Sequence, residues 1–257
     1  MKAVILAGGM GRRIGGQTSN CPKPLVEIGG YPLLWHLMQL CSAQGVSEFI
    51  VALGHGGERV KDYFLRYRAL QDDVSVDLQS GKVEFHGQKA PDWRVHLIDT
   101  GLATMTGGRL KRLSSWLCDE SHFLMTYADG LADIDLRALE QFHLGHGRLA
   151  TLTAVRIPER FGRLSLEGDR VIMFHEKPDN CRPWINGGFF ILNPKVLAYV
   201  EDDSTVWERE PLQRLCVEGE LRAFRHDGFW SGCDTPDDLA YLESAWRGGH
   251  APWKVGL

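Results

Sequence analysis

Four places along the chain carry residue types suited to handling a phosphorylated ligand. The first is Leu6-Ala7-Gly8-Gly9-Met10-Gly11-Arg12-Arg13, directly after an apolar run. Glycines let the backbone approach an anion with its N–H groups pointing inward, and arginine meets phosphate with two parallel donors. A tight strand-to-helix turn explains the glycines equally well, but two adjacent guanidiniums are costly in a merely structural turn. The second place is Pro22-Lys23-Pro24. Pro24 biases Lys23 toward an extended backbone, so a stiff segment is predicted to aim its charge. A solvated loop lysine is the plain alternative.

The other two places are aspartates. Asp129, in Tyr127-Ala128-Asp129-Gly130, closes an apolar run. Ligands of open parallel sheets bind beyond the carboxyl ends of the strands, which is where that position falls. A simple Asp-Gly turn competes with this. Asp234 precedes Thr235-Pro236-Asp237-Asp238, where Thr235 suits a helix N-cap, Pro236 the first helical position and Asp238 the third. The Asp234 carboxylate is thereby left without a capping task. Magnesium takes one or two protein carboxylates and completes its octahedron with phosphate oxygens and water.

The elements that must position these groups alternate. Short apolar runs at 2–6, 49–53, 95–99, 122–127 and 150–155 predict buried strands. Helical spacing covers 33–43 (stopping at Gly45), 58–67, 108–117 and 136–146. Such alternation implies an α/β fold, a Rossmann-like and mostly parallel sheet with helices on both faces. The later part reads as a small added β-rich section: a hairpin over 164–167 and 171–174, a strand over 188–192 and a closing helix over 235–246. No repeat, low-complexity tract or long linker breaks the chain, so 1–257 is read as one domain.

Composition narrows the classes. The chain has 257 residues, 44% hydrophobic and 24% charged, ordinary for a globular protein with a self-sufficient core. A net charge of −4 offers no broad basic surface for nucleic acid or for an anionic membrane. The six cysteines are scattered without a CxxC pair, which argues against a disulfide framework or a zinc site. No signal peptide and no spanning apolar run are read, so the cytoplasm is the expected location. The eight tryptophans are read as core or interface anchors, with those of the last third and Phe229 candidates for subunit contacts. His36, His55, His96, His143 and His146 show no metal-ligand pattern and are taken as structural or surface groups.

Leu6-Ala7-Gly8-Gly9-x-Gly-x-Arg13 and Pro22-Lys23-Pro24-Leu25-Val26-Glu27-Ile28-Gly29-Gly30 resemble the signature of sugar-1-phosphate nucleotidyltransferases. Further matches are Asp99-Thr100-Gly101, Met105-Thr106-Gly107-Gly108-Arg109-Leu110-Lys111-Arg112, Glu176-Lys177-Pro178, Asn186-Gly187-Gly188-Phe189-Phe190 and Ala251-Pro252-Trp253-Lys254. Over essentially the whole chain they are similar to the glucose-1-phosphate cytidylyltransferase branch.

The resemblance implies magnesium-dependent transfer of a nucleotidyl group from a nucleoside triphosphate to a sugar 1-phosphate, with pyrophosphate released. It implies Arg13, Lys23 and Asp129 as catalytic groups, and Asp129 with Asp234 as metal ligands. It places Leu6, Ala7, Gly8, Gly9, Met10, Gly11, Arg12, Arg13, Lys23, Thr104, Arg109 and Ala128 around the nucleotide. It places Glu176, Lys177, Asn186 and Gly187 around the sugar phosphate. By the same resemblance, 1–155 is a nucleotide-binding core and 156–257 a sugar-phosphate and oligomerisation part. Related enzymes form homo-oligomers, often hexamers in this branch, and serve nucleotide-sugar supply for lipopolysaccharide O-antigen.

Alternatives stay open at the level of residues. Thr104 fits a flexible loop, Arg109 a solvated helix face and Glu176-Lys177 an exposed ion pair. Arg12 stands where the branch usually has threonine, Cys21 where it often has lysine, Ala128 where it has glycine and Cys233 where methionine is common. These departures bear on the substrate more than on the reaction. Rival functions are the same chemistry with another base or sugar, a binding protein without catalysis, and a nicotinamide-dependent oxidoreductase. The last is disfavoured: Ile14 stands where the dinucleotide fingerprint needs its last glycine, and Leu53-Gly54-His55 lacks the acidic residue that holds a ribose.

Overall fold

The computed structural model describes residues 1–9, 21–87, 90–156, 163–175 and 183–255. In chain order come β1 (Ala3–Ala7), a 3-10 turn at Lys23–Leu25, the hairpin β2 (Glu27–Ile28) and β3 (Tyr31–Pro32), then α1 (Leu33–Ser42). Next are β4 (Glu48–Leu53), α2 (Gly57–Gln71), the hairpin β5 (Asp73–Val76) and β6 (Val83–His86), and β7 (Arg94–Asp99). The middle holds α3 (Thr106–Arg112), α4 (Ser114–Leu117), β8 (Phe123–Tyr127), β9 (Gly130–Ala132), α5 (Leu136–His146) and β10 (Ala150–Arg156). The remainder is the hairpin β11 (Arg163–Glu167) and β12 (Arg170–His175), then β13 (Trp184–Leu192), α6 (Glu210–Val217), β14 (Leu221–His226), β15 (Trp230–Gly232) and α7 (Pro236–Arg247).

Seven strands form one sheet in the order β14-β10-β13-β8-β1-β4-β7. β1 runs parallel to β4 and β8, β4 to β7, and β10 to β14. β13 runs antiparallel to both of its neighbours, β8 and β10. The sheet is thus mostly parallel, and it draws β13 and β14 from beyond residue 155. Every residue of β1 is buried, because both faces of a parallel sheet are covered. Ala3, Ile5 and Ala7 meet Leu34, Leu37 and Met38 of α1 and Leu139 of α5 on one face. Val4 and Leu6 meet Leu110, Leu117, Trp207 and Leu215 on the other.

A third cluster fixes the site. Val26, Ile28 and Leu33 around the β2–β3 hairpin pack with Leu242 of α7, Leu131, Cys233 and Trp253. At Gly29 (φ +59°) a Cβ would lie 1.8 Å from the Trp246 indole, so the turn needs glycine both for its conformation and for this contact. Trp207 and Trp253 are 0% and 1% exposed within the chain itself. This corrects the expectation that they serve subunit contacts: each finds enough apolar surface intramolecularly.

Several boundaries differ from expectation. The helix expected over 108–117 is two pieces, because Leu113 (φ −91°, ψ 5°) leaves helical geometry. The strand expected from 188 begins at Trp184 and passes through Gly187 and Gly188, with a register irregularity opposite Leu152–Ala154. Glycines weaken a strand signal yet admit such an irregularity. Lys23 opens the 3-10 turn rather than an extended segment, since Leu25 N–H bonds Pro22 O at 2.8 Å and Val26 N–H bonds Lys23 O at 3.1 Å. The N-cap at Thr235 agrees with expectation, completed by Asp238 as a capping box.

The histidines of α5 supply a pH dependence. His146 Nδ1 accepts from Arg148 N–H at 2.9 Å, so its Nε2 carries the proton and donates to Thr151 Oγ1 at 2.7 Å. The Thr151 hydroxyl in turn donates to His143 Nδ1 at 2.8 Å. Burial, with His146 and His122 nearby, pushes the His143 imidazolium down to about 4, against a smaller upward pull from Glu140. The unfolded chain therefore takes up a proton that the folded one refuses. Stability is full above the unfolded value of about 6.5 and falls as pH drops toward 4, by about 2 kcal/mol between pH 7 and pH 5. Urea unfolding at pH 7 and pH 5 should show that loss in the wild type and a smaller one in His143→Asn.

Candidate active site

A cleft of about 530 Å³ opens at the carboxyl ends of β1 and β8. Its wall includes Leu6–Gly9, Lys23, Thr104, Arg109, Ala128, Asp129 and Asp234, so candidates scattered over the whole chain meet in one place. Strand pairing brings the two aspartates together. In the β9–β15 pair Gly130 faces Gly232, and Cys233 N–H bonds Asp129 O at 2.8 Å. Packing of α7 on the β2–β3 hairpin then carries Asp234 to Lys23. Lys23 Nζ donates to Asp129 Oδ2 at 2.7 Å and to Asp234 Oδ1 at 2.6 Å. Burial works to lower the Lys23 pKa, but the two carboxylates outweigh it and the net shift is upward. The Lys23 side chain is 12% exposed, whereas each aspartate side chain keeps 42% of its surface open.

Arg109 is buried, which decides against a solvated helix face. Its Nη1 donates to Leu53 O at 2.9 Å, Thr100 Oγ1 at 2.7 Å and Gly101 O at 2.9 Å, and Nη2 to Gly8 O at 3.2 Å. One guanidinium thus ties together the chain ends that leave β1, β4 and β7. A Cβ on Gly8 would lie 2.3 Å from that guanidinium, and one on Gly54 2.6 Å from it. Gly8 is therefore required by Arg109, while among the described residues nothing lies within 4 Å of a Cβ placed on Gly9. Thr104 is buried beside it.

The chain from residue 2 to residue 245 matches the family model described as nucleotidyl transferase. The chain belongs to the nucleotidyl transferase family. Glucose-1-phosphate cytidylyltransferases of Salmonella typhi and Salmonella typhimurium are each 48% identical to it over 255 residues, covering 99% of this chain and 99% of theirs. The solved structure of HddC from Yersinia pseudotuberculosis superposes with a TM-score of 0.71 at 23% identity, covering 95% of this chain and 99% of that one, a likeness of fold. A nicotinamide-dependent oxidoreductase is thereby set aside.

In this nucleotidyl transferase the Met105–Arg112 block has a mechanical explanation. Residues 203–205 cross the start of α3, where Met105 N–H bonds Asp203 O at 2.8 Å and Gly107 N–H bonds Thr205 O at 3.0 Å. A Cβ on Gly107 would lie 2.8 Å from Thr205 O, and one on Gly108 2.5 Å from Asp203 Cα. Asn186 lies on β13, with Oδ1 accepting from Gly188 N–H at 2.9 Å. Gly187 O accepts from Trp230 Nε1 at 2.7 Å, which anchors β13 to β15. Met10, Gly11, Arg12, Arg13, Glu176 and Lys177 lie outside the described residues.

Three participants escaped the residue-by-residue reading. Gly54 was seen only as a failed ribose site, whereas its role is to admit Arg109. Tyr127 lines the cleft beside Asp129, and Glu208 bonds both Tyr127 and Thr106. Nothing local in the sequence marks Glu208, whose partners all come from distant segments. Of the departures, Ala128 lines the cleft, Cys233 is buried in the third cluster, and Cys21 bonds Pro22 O through its thiol at 3.7 Å.

Proposed function

We propose that this chain transfers the cytidylyl group of CTP to α-D-glucose 1-phosphate, giving CDP-glucose and pyrophosphate. One observation carries this: 48% identity along 99% of both chains with a glucose-1-phosphate cytidylyltransferase. The sugar phosphate oxygen attacks the α-phosphorus in line and pyrophosphate leaves. A phosphate monoester is largely dianionic near neutral pH, its second pKa being about 6, so no general base is needed. The task is to hold two polyanions together, which calls for local positive charge in a chain of net charge −4.

Lys23 and Arg13 supply that charge to the polyphosphate. The backbone of residues 6–12 holds the nucleotide, with Thr104, Arg109 and Ala128 around it. Cytosine offers an N4 donor beside an N3 acceptor, a pair that a backbone carbonyl and a donor side chain distinguish. Lys177 holds the phosphate of the sugar, while Glu176, Asn186 and Gly187 hold the sugar itself.

Asp129 and Asp234 suit magnesium: both already converge on a single cation, their oxygens are hard donors, and both remain open to the cleft. Among the described residues no group of three or more His, Cys, Asp or Glu side chains could hold a metal, and a pair is what a phosphate-bridged magnesium needs. When bound, the ion would neutralise phosphate charge. We further place the protein in the cytoplasm, as a homo-oligomer supplying nucleotide sugar for O-antigen. Among the described residues no helix is long and apolar enough to cross a membrane.

A steady-state screen of CTP, UTP, dTTP and ATP against several sugar 1-phosphates tests the substrates. CTP with glucose 1-phosphate should give the highest kcat/KM, by about 100-fold or more over UTP where buried polar groups read the base. UTP or dTTP as the best substrate would replace the base assignment. Nucleotide binding without pyrophosphate release would make this a binding protein.

A further inference from the structure

Residues 203–208 join the start of α3 to the end of β8. Besides the backbone bonds to Met105 and Gly107, Arg112 Nε donates to Asp203 Oδ1 at 2.9 Å, so this segment is pinned to α3 just before Glu208. Glu208 Oε2 accepts from Thr106 Oγ1 at 2.6 Å, and Glu208 Oε1 accepts from the Tyr127 hydroxyl. Trp207 N–H donates to Thr106 Oγ1 at 2.9 Å, which leaves the single Thr106 proton for Glu208. Both hydroxyl protons therefore point at one carboxylate.

The consequence falls on the other side of Tyr127. With its proton committed to Glu208, the phenol oxygen can only accept from its remaining neighbours, and the Tyr127 ring packs on Gly188, whose N–H holds the Asn186 side chain beside that oxygen. Asn186 Oδ1 is taken by Gly188 N–H, so the end of the amide that meets Tyr127 is Nδ2. Gly188, at φ +80°, has room for no Cβ because the Tyr127 ring would lie 2.9 Å away. The amide is thus held between Gly188 N–H and Tyr127, and Tyr127 is held in turn by Glu208 of the 203–208 segment.

We propose that Glu208 is a positioning residue for the sugar phosphate, acting through Tyr127 to set the orientation of the Asn186 amide. The inference rests on Asn186 as a sugar contact, as given under the proposed function. An amide offers a donor at one end and an acceptor at the other, so a flipped or loose Asn186 presents the wrong group to a sugar hydroxyl. Glu208 touches no substrate in this scheme. It makes the sugar site depend on a segment that also closes over the start of α3.

The test separates the two substrates. KM for CTP and for the sugar 1-phosphate that the wild type turns over best are measured in Tyr127→Phe, Glu208→Ala, Glu208→Gln and the double variant Tyr127→Phe/Glu208→Ala, with thermal melting as a check on folding. Tyr127→Phe and Glu208→Ala should each raise the sugar phosphate KM about tenfold, the size of one well-placed hydrogen bond, with KM for CTP moving far less. The double variant should be no worse than the worse single, because both cut one chain of contacts. Glu208→Gln keeps one acceptor oxygen and should recover part of the loss.

Equal rises in both KM values, or losses that multiply in the double variant, overturn the relay. Asn186→Ala with an unchanged sugar phosphate KM overturns Asn186 as a sugar contact instead. A readout without turnover stands beside these, the side-chain amide resonances of Asn186 in the free protein. They should shift in both single variants, and unshifted resonances sink the relay whatever the true sugar is.

Discussion

Asp129→Asn should lower pyrophosphate release by about 10³-fold while the protein remains folded, the size of loss seen when a preorganised charge is removed from a transition state. Lys23→Ala should cost about 10²-fold or more in the same assay for the same reason. Near-wild-type turnover in either folded variant would overturn the mechanism. The two changes should part company in stability. Without Lys23 the carboxylates of Asp129 and Asp234 are left close together and lose the cation that they share. The cost should be about 1–2 kcal/mol, less than for a fully buried pair because each carboxylate is 42% exposed. Magnesium should then raise the melting temperature of Lys23→Ala more than that of the wild type, since it binds only the folded pair. The upward shift of Lys23 sets the pH window. Its stabilisation is fully present below the unfolded value of about 10.4 and is lost only as pH rises through the still higher folded one.

Arg109→Met should be the most damaging single change to the fold near the site. Four oxygens lose a donor at once: Gly8 O, Leu53 O, Gly101 O and the Thr100 hydroxyl, although Leu53 O keeps the Thr100 N–H and hydroxyl and Gly8 O keeps the His55 N–H. A hydrogen bond to a charged donor contributes about 1.5–3 kcal/mol and the remaining donors make good part of the loss, so a total of about 3–5 kcal/mol is expected, read as a lower urea midpoint at unchanged slope. Arg109→Lys should recover little, because one ammonium cannot span chain ends leaving three strands. Gly54→Ala should mimic part of the defect, since the added methyl would sit 2.6 Å from Arg109 and 2.7 Å from Gly8 O. About 1–3 kcal/mol is expected there, with a raised KM for the nucleotide. Wild-type stability in Arg109→Met would mean that the cleft does not depend on this crosslink.

Asp129 was legible because strand and turn chemistry are local: an apolar run ends, a glycine follows, and the carboxylate must lie at the strand's carboxyl end. Asp234 was legible by subtraction, since the capping box takes Thr235 and Asp238. The strands β1, β4, β8 and β10 follow the same rule, each a short apolar run covered on both faces, whereas β7, expected to be buried, lies at the sheet edge and is at most half-buried. By contrast, β14 carries Arg222 and Arg225 and has no apolar run to announce it. β13 was cut short at its glycines, and its antiparallel insertion between β8 and β10 is a matter of pairing.

By itself, then, the sequence determined the residue types on offer at the cleft and the alternation that builds its sheet. Those features depend on neighbours a few residues away, which spacing records. Only the tertiary structure decided that Lys23 bridges Asp129 and Asp234, that Arg109 is buried as a tie between strand ends, and that Glu208 reaches Tyr127. Each of these contacts joins segments far apart in the chain through the packing of α7, α3 and the 203–208 segment. Their energies depend on burial and direction, and a linear order of residues carries neither.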